Sequence, residues 1–367
     1  MSRLLAVRLD SDGDVLLTGP AVRALGALAD HVDLLVSPAG AQAARLLPGV
    51  DRVHVFDAPW SGFAPPPVDA PAVDALVSAL RAAAYDRAIV FTSFHQSPLP
   101  TALLLRLAGV PWIAATSEDY PGSLLDVRHH RPAGLHEVEA ALHLARAAGG
   151  SLTADDDGAL APRHPLPDVS ALLPVRPYVV LHPGASVPSR ASAPQHAARL
   201  VGALTAAGRH VVVTGGPGER DLAATVAAGA ADPAEVTDLS GRTDLAQLAA
   251  VLAGADAVVV GNTGPAHLAA AVGTPVVSLF APVVPADRWA PWGVPTVLLG
   301  DQDAPCAGSR ARQCPVLGHP CLDVDPHAVV MAVDALAGAP LPLRALTELT
   351  RLTGMARPTG PTEEVHA

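Results

Sequence analysis

The chain has no lysine, few aromatic residues and only three cysteines. All 24 basic residues of the 367-residue sequence are arginines, and 35 acidic residues give a formal charge of −11. This negative balance, without any basic run, argues against a nucleic-acid or anionic-membrane surface as the main partner. A local arginine site for one small anion is still compatible with it. Three cysteines in so long a chain cannot form a disulfide framework.

Long apolar runs are also missing. Mean hydropathy is positive at +0.33, but Arg, Asp, His or Gly interrupts the alanine-rich runs well short of the roughly 20 residues that span a membrane. The first residues, MSRLLAVRLDSDGDV, contain aspartates from position 10 onward, which is too early for the apolar segment of a signal peptide. The sequence therefore predicts a soluble, cytoplasmic protein.

Short β-branched runs alternate with alanine-rich stretches of helical spacing, which is typical of βα units around a parallel sheet. Strands are predicted at residues 4–8, 32–36, 52–56, 87–91 and 112–115, and again at 178–182, 210–214, 236–239, 257–260 and 276–279. Helices are predicted at residues 15–28, 39–46, 72–84 and 98–108, and at 193–207, 219–228, 244–253 and 265–272. The pattern occurs twice, so we predict an α/β protein with two parallel-sheet domains.

A proline-rich segment separates the two sets of units. Residues 149–177 also carry the acidic run ADDDG, which could pass for a metal-binding motif, but its distance from any strand end favours a solvated turn. We place the domains at residues 1–160 and 161–340. Residues 341–367 are predicted to form a C-terminal helix and a disordered tail.

The segment GNTGPAHLAAAVGTPVVSLF, residues 261–280, carries the strongest chemical signal. It follows an apolar strand and opens a helix, so Asn262, Thr263 and Gly264 lie where backbone N–H groups can bind an anion. His267 falls in the first helical turn. A plain strand-turn-helix, with Thr263 as the N-cap and His267 as a surface residue, explains the same residues.

Two further turns follow strands of the second half. In HPGASVPSR, residues 182–190, Arg190 could pair with a phosphate through two hydrogen bonds, or could be a solvated loop residue. The turn TGGPGE, residues 214–219, is rich in glycine, which alone is a weak signal. Together the three turns predict a ligand crevice at the carboxyl ends of the strands.

In the first half, three aspartates follow the first strand. Asp10, Asp12 and Asp14 either cap the following helix or provide a general base that faces the second domain. The loop at residues 58–71, APWSGFAPPPVDAP, is longer than most βα connections. It is either an acceptor-side loop or a proline-rich insert.

These segments, in this order, resemble a known family. RLDSDGDVLLTGPAVRAL at residues 8–25, HPGAS, TGGPGE, LSGRTDLAQLAAVL at residues 239–252 and GNTGPAHLAAAVGTPVVSLF are similar to the ADP-heptose:lipopolysaccharide heptosyltransferases, glycosyltransferase family 9. HEVEAAL at residues 136–142 and the cysteine-rich segment at 306–321 match more weakly. The resemblance runs in order from residue 3 to about residue 325.

The resemblance implies a GT-B fold, in which two Rossmann-like domains face each other across a cleft. The N-terminal domain would hold a glycan or glycolipid acceptor, and the C-terminal domain a nucleotide-sugar such as ADP-heptose. Transfer would invert the configuration of the anomeric carbon and would need no metal or other cofactor. We expect a monomer in the cytoplasm, and a member of the family can work at the inner membrane surface without a spanning segment.

The same resemblance assigns roles to residues. Asp14 would be the catalytic base, while Thr263, Gly264 and Arg190 would stabilise the leaving diphosphate. The remaining donor-side residues implied by the family are Ser186, Glu219, Asn262 and His267.

The sequence departs from the family pattern at two donor-side positions. Asn262 stands where the family has an aspartate that holds the donor sugar, and Ala191 to Ala193 lack the tryptophan that often follows the phosphate-binding cation. These changes leave donor identity open. They also keep two alternatives in view: a nucleotide-sugar binding protein without transfer activity, and a nucleotide-sugar epimerase of the same architecture.

Two clusters have competing explanations. The basic cluster RHHR at residues 128–131 places Arg128 and Arg131 either at an acceptor site or in a solvated loop. Cys306, Cys314 and Cys321, with a nearby histidine, lack the close C-x₂-C pairs of zinc sites. Buried thiols or an occasional disulfide, as the resemblance implies, fit that spacing better than a metal.

Overall fold

The computed structural model describes residues 1–62, 64–93 and 96–338 of the chain. The first domain contains β1 (Arg3–Arg8), α1 (Asp12–Leu25), β2 (His31–Val36), α2 (Ala41–Leu46), β3 (Arg52–Val55), α3 (Ala70–Ala83), β4 (Arg87–Phe91), α4 (Leu99–Leu107), β5 (Trp112–Thr116), β6 (Val127–His129) and α5 (Glu137–Ala147). The second domain contains β7 (Tyr178–His182), α6 (Pro194–Ala206), β8 (His210–Val213), α7 (Arg220–Ala227), β9 (Val236–Asp238), α8 (Leu245–Ala253), β10 (Ala257–Gly261), α9 (Gly264–Ala271), β11 (Val276–Leu279), α10 (Ala286–Trp289), β12 (Thr296–Leu299) and α11 (Pro326–Leu336).

Each domain is built on a six-stranded parallel sheet. The strand order is β3-β2-β1-β4-β5-β6 in the first sheet and β12-β11-β10-β7-β8-β9 in the second. In both sheets the order reverses beside the first strand, which opens a crevice at the carboxyl ends of the central strands. The predicted α/β architecture with two parallel-sheet domains is confirmed.

One continuous core lies between the two sheets. It contains Leu4 and Ile89 from the inner face of the first sheet, and Val180 and Val260 from the inner face of the second. The helices between these faces are α1, α2 and α5 from one domain and α8 and α9 from the other. Separate cores cover the outer face of each sheet, so each sheet is buried on both sides as a parallel sheet requires.

All the predicted strands are present to within one residue at each end, but several elements were missed. The sequence interpretation placed no element at β6, α5, β12 or α11. It also began α1 three residues late, because Asp12 and Asp14 occupy the first helical turn, where carboxylates are favoured by the helix dipole. The helix and tail predicted at residues 341–367 lie outside the described residues.

The segment between the domains is tied to the first domain. Arg23 on α1 donates to both carboxylate oxygens of Asp156, at 2.6 and 2.8 Å, and to the carbonyl of Ala159. The predicted solvated turn is therefore partly wrong, since Asp156 forms an ion pair with Arg23. Within the described ranges, no helix is both long and apolar enough to cross a membrane.

Candidate active site

Two helix N-termini meet where the carboxyl ends of the sheets face each other. Helix α1 begins after β1, helix α9 begins after β10, and Gly13 lies against Gly264. A Cβ atom at Gly13 would lie 3.1 Å from Gly264 Cα and 3.2 Å from His267 Cδ2, closer than normal packing allows. The absence of a side chain at Gly13 is what lets the two domains approach so closely. The residue after it, Asp14, is thereby brought to the domain interface.

Arg8, the last residue of β1, holds the acidic residues in place. Its side chain is only 4% exposed, and its Nε lies 2.7 Å from Asp10 Oδ2. One terminal nitrogen donates to Asp14 Oδ1 at 3.1 Å and to the Ser93 hydroxyl at 3.0 Å. Burial lowers the pKa of Arg8, but the nearby carboxylates, Asp10 first, outweigh burial and raise it overall. Arg8 therefore stays charged and fixes the Asp14 carboxylate.

Of the three aspartates after β1, Asp14 has its carboxylate at the domain interface. Asp10 is held by Arg8 and by the Gln96 amide at 2.6 Å. Asp12 accepts from the backbone N–H of Ala43 at 2.9 Å, so it anchors α2, and burial raises its pKa. Asp14 accepts from the Ser11 hydroxyl at 2.9 Å and keeps 23% of its side chain exposed. Asp14 is thus the carboxylate that can reach a bound molecule.

Arg190 lies across the cleft from Asp14, at the end of the short helical turn Pro188–Arg190. Burial lowers the pKa of Arg190, while the charge of Asp14 raises it. Its Nε is buried without a hydrogen-bond partner, and within the described part of the chain its guanidinium forms no ion pair. Arg190 is half-buried, and a partly desolvated cation with unused donors can bind an anion.

His267 lies in the first turn of α9 and is 5% exposed. Burial lowers its pKa to about 4, and the charges of His136 and Arg190 act in the same direction. Its Nδ1 is buried and has no hydrogen-bond partner among the described residues. The ring is therefore neutral at pH 7, and it can donate or accept one hydrogen bond at that nitrogen.

Asn262 and Thr263 connect β10 to α9. The Asn262 amide donates to the carbonyl of Ala281 and accepts from its N–H, both at 3.2 Å. This side chain therefore fixes the turn and is buried, at 4% exposure. Thr263 is the N-cap residue, but its hydroxyl makes no capping hydrogen bond. The first turn of α9 is left without a side-chain cap, as an anion-binding helix end requires.

The two remaining turns of the second domain are packed together. The Glu219 carboxylate accepts from the N–H of Gly216 at 2.7 Å. A Cβ at Gly184 would lie 1.9 Å from Glu219 Oε1, so only glycine allows the carboxylate to lie on that turn. Ser186, in the same turn, is exposed. Glu219 and Ser186 thus border the same crevice.

The cysteine-rich segment supports the Arg190 turn from outside. Ser189 donates from its N–H to the carbonyl of Arg312 at 3.0 Å. All three cysteines are free thiols. Burial raises the pKa of Cys321 to about 12, and the neighbouring Cys306 adds to this increase. Among residues 1–62, 64–93 and 96–338, no cluster of His, Cys, Asp or Glu is arranged to hold a metal ion.

A cavity of about 260 Å³ opens beside Arg8 in the first domain. Arg131 lines it and forms an ion pair with Glu137 at 2.8 Å. Arg128 does not line it, because its guanidinium donates to the backbone carbonyls of Ser117 and Glu118. Of the two predicted acceptor residues, the structure therefore places Arg131, and not Arg128, at this cavity.

The sequence interpretation missed the residues that organise the first domain. Arg8 was not predicted to have a role. Its position at the end of an apolar strand, with aspartates two and six residues later, is a detectable signal of an ion pair. His136 was also missed: it stacks on Trp292 of the second domain at 4.7 Å between ring centroids and bonds to the carbonyl of Ala290 at 3.0 Å. No local pattern marks that contact, because its partners are more than 150 residues apart.

Comparisons with known proteins agree with this geometry. The chain is 36% identical to lipopolysaccharide heptosyltransferase 3 of Escherichia coli over 119 residues, 31% of this chain and 34% of that protein. It is 29% identical to lipopolysaccharide heptosyltransferase 1 of Pseudomonas aeruginosa over 343 residues, 85% of this chain and 87% of that protein. The solved structure of E. coli ADP-heptose lps heptosyltransferase II superposes with a TM-score of 0.70 at 22% identity, covering 92% of this chain and 98% of that one.

The likeness to that solved structure establishes the GT-B fold, with the two sheets facing each other across the cleft. The sequence profile of glycosyltransferase family 9 (heptosyltransferase) matches residues 73–319, more than half of the chain and parts of both domains. The chain therefore belongs to glycosyltransferase family 9 and is a glycosyltransferase.

Proposed function

We propose that the enzyme moves heptose, or a related sugar, from ADP-heptose or another nucleotide-sugar to a hydroxyl of a glycan or lipopolysaccharide-like acceptor. The observation that carries this proposal is the placement of a fixed carboxylate, Asp14, opposite a half-buried cation, Arg190, which forms no ion pair with a described residue, between two helix N-termini. The names of the relatives support the donor and the acceptor class. Transfer is proposed to invert the anomeric centre and to need no metal.

The proposed reaction is a single displacement. Asp14 accepts the proton of an acceptor hydroxyl, whose oxygen forms a bond to the anomeric carbon of the donor sugar. The bond from that carbon to the diphosphate oxygen breaks on the opposite face, so the configuration inverts. The leaving diphosphate carries the electron pair, and the guanidinium of Arg190 and the N-terminus of α9 stabilise its charge.

The remaining donor-side residues are assigned by position. Thr263 offers its hydroxyl and Gly264 its backbone N–H at the start of α9, and the neutral His267 offers one ring nitrogen next to them. Asn262 fixes this turn through Ala281. These groups surround the place where a diphosphate meets a helix N-terminus.

The nucleotide is proposed to lie along the other two turns. Glu219, braced by Gly216, faces the ribose hydroxyls, and the exposed Ser186 is within the same turn as Gly184. Arg131 contributes to the acceptor side. We further propose a monomer in the cytoplasm that associates peripherally with the inner face of the membrane; the word lipopolysaccharide in the name of a relative supports the membrane association.

The test is a panel of nucleotide-sugars applied to the purified chain. Melting temperature reports binding, because a ligand that binds the native state raises apparent stability, and product analysis by mass spectrometry reports transfer. The proposal predicts donor binding and transfer of the sugar to an acceptor glycan. Binding without transfer to any acceptor would indicate a binding protein, and conversion of the donor alone would indicate an epimerase; either result rejects the proposal.

A further inference from the structure

Trp292 of the second domain lies against the first domain. It follows α10 shortly, and its ring stacks on that of His136 with 4.7 Å between the ring centroids and 28° between the ring planes. The indole is half-buried and packs on the continuous core between the sheets. Its Nε1–H donates to the carbonyl of Gly158 at 3.1 Å, in the segment between the domains. The side chain of Trp292 is therefore held from two sides by residues outside its own domain.

His136 connects this ring to helix α5. It is the N-cap residue of α5, and its Nδ1 accepts from the N–H of Val138 at 3.2 Å. Because Nδ1 is an acceptor, the hydrogen is on Nε2, which donates to the carbonyl of Ala290 at 3.0 Å. Burial lowers the pKa of His136, which keeps this neutral tautomer at pH 7. One nitrogen of the ring thus caps a first-domain helix, while the other nitrogen and one ring face bind the second domain.

Both contacts of the Trp292 side chain lead to α1, the helix of the proposed base. Helix α5, which the histidine caps, packs along α1 in the continuous core. On the other side, Gly158 donates its N–H to Asp156 at 3.0 Å, and Arg23 of α1 donates to the same carboxylate. A shift of Trp292 relative to the first domain would therefore be passed to α1 along two routes.

Trp292 is also linked to the proposed diphosphate site of its own domain. The turn before α9 is fixed by Asn262, whose amide bonds to the N–H and the carbonyl of Ala281. From Ala281 the chain runs directly through α10 to Trp292. Ala290, which receives the bond from His136, is the residue at which α10 ends. One short segment thus connects the donor side to the first domain.

The direct contact of the domains at the site leaves their relative orientation to other contacts. Gly13 and Gly264 let the N-termini of α1 and α9 approach each other, but neither has a side chain that could interlock with the facing helix. Transfer depends on the distance between the base and the bound donor, and a misplacement of about 1 Å can lower a rate roughly 100-fold. A contact that fixes the domains away from the site therefore has leverage on the rate.

We propose that Trp292 and His136 form a joint that sets the position of Asp14 relative to the donor, and that both are positioning residues for transfer. The inference rests on the proposed function, in which the base and the donor lie on opposite domains. Both residues act through the placement of α1 and not through contact with a substrate.

The test compares Trp292→Leu with Trp112→Leu in the full chain. Trp112 is the matched control, because it is half-buried against the same core but lies under the guanidinium of Arg87, at 4.9 Å, inside the first domain. Trp292→Leu should lower kcat for transfer by roughly 10- to 100-fold, while affinity for ADP, measured by calorimetry, stays within about twofold. The control should keep the kcat of wild type. Equal kcat in the two variants overturns the inference.

His136→Asn removes the joint and keeps the helix cap. Asparagine is a favoured N-cap residue, so it can still accept from the N–H of Val138, while the ring stack and the bond to Ala290 are lost. It should lower kcat as much as Trp292→Leu does, and Trp292→Phe, which keeps the stack, should restore part of the loss. Unchanged kcat in a folded His136→Asn protein contradicts the inference. This variant decides if Trp292→Leu does not fold.

Hydrogen exchange followed by mass spectrometry reports on the domain interface without an assay of transfer. Exchange in α1 and α9 should be roughly 2- to 10-fold faster in Trp292→Leu and His136→Asn than in wild type. Exchange in α6, on the outer face of the second sheet, should stay unchanged. Equal exchange in α1 and α9, or faster exchange in all three helices, overturns the inference, since the latter is a loss of stability alone. If wild type transfers no sugar, the proposed function fails, and the exchange comparison still decides whether the joint holds the domains.

Discussion

Replacing Arg8 with methionine tests the buried ion-pair network beneath the proposed base. The substitution keeps the apolar volume and removes the guanidinium that joins Asp10, Asp14 and Ser93. Removing one partner of a buried pair costs roughly 3–5 kcal/mol, because the other charge is left uncompensated. Asp10 is 10% exposed and Asp14 is 23% exposed, so water compensates in part. We expect a loss near the lower end, about 3 kcal/mol.

Urea unfolding, followed by circular dichroism, measures this loss, and the melting temperature of a chain of this length should fall by roughly 4 °C. Arg199→Met is the control, since Arg199 pairs with Asp323 on the surface, where both side chains are more than half exposed. That substitution should cost no more than about 1 kcal/mol. An Arg8→Met protein as stable as the control would refute the argument that Arg8 holds the aspartates in a buried network.

Three further predictions concern the second domain. Arg190→Ala should weaken nucleotide binding by roughly 10- to 100-fold through loss of charge-assisted hydrogen bonds; equal affinity in a calorimetric titration would remove Arg190 from the site. Because the folded pKa of His267 is about 4, below its ordinary 6.5, its stabilising contribution is complete above pH 6.5 and is lost as pH falls to 4. Between pH 6.5 and pH 4 the wild type should therefore lose up to about 3 kcal/mol of unfolding free energy on account of His267. Urea unfolding at several pH values should show a smaller loss for His267→Gln. Equal losses in the two proteins would be inconsistent with a buried neutral ring. Gly184→Ala should displace the Glu219 carboxylate and weaken ADP binding by roughly tenfold. A calorimetric titration with ADP measures this effect, and an unchanged affinity would disprove it.

The strands could be predicted because parallel strands buried on both faces are continuous apolar runs. The run AVVV before Gly261 and the run VVLH before Pro183 are examples. Helix α5 was missed because its sequence, EVEAALHLARA, begins at a histidine N-cap instead of a Ser, Thr or Asp. Strand β12, TVLL, was also missed, although edge strands of similar length, β3 and β9, were predicted.

The candidate site was predictable only in part. Residues in the three turns of the second domain could be identified, because glycine and small residues after strands indicate a crevice. Their states could not be predicted. Among the described residues Arg190 is half-buried and forms no ion pair, and the Asn262 amide bonds to the backbone of Ala281. Both facts depend on segments that are distant in the sequence. The contact of Gly13 with Gly264 is likewise a product of domain packing. Long-range packing, and not local sequence, determines which of the candidate groups are free to bind.

The most direct test of the account is the behaviour of Asp14→Asn in a transfer assay with donor binding measured on the same protein. The amide keeps the size of the side chain and its contact with Arg8 but cannot accept a proton. Turnover is expected to fall by roughly 10²- to 10⁴-fold, while nucleotide affinity stays within about twofold because the donor site lies on the other domain. Turnover equal to wild type would show that Asp14 is not the base.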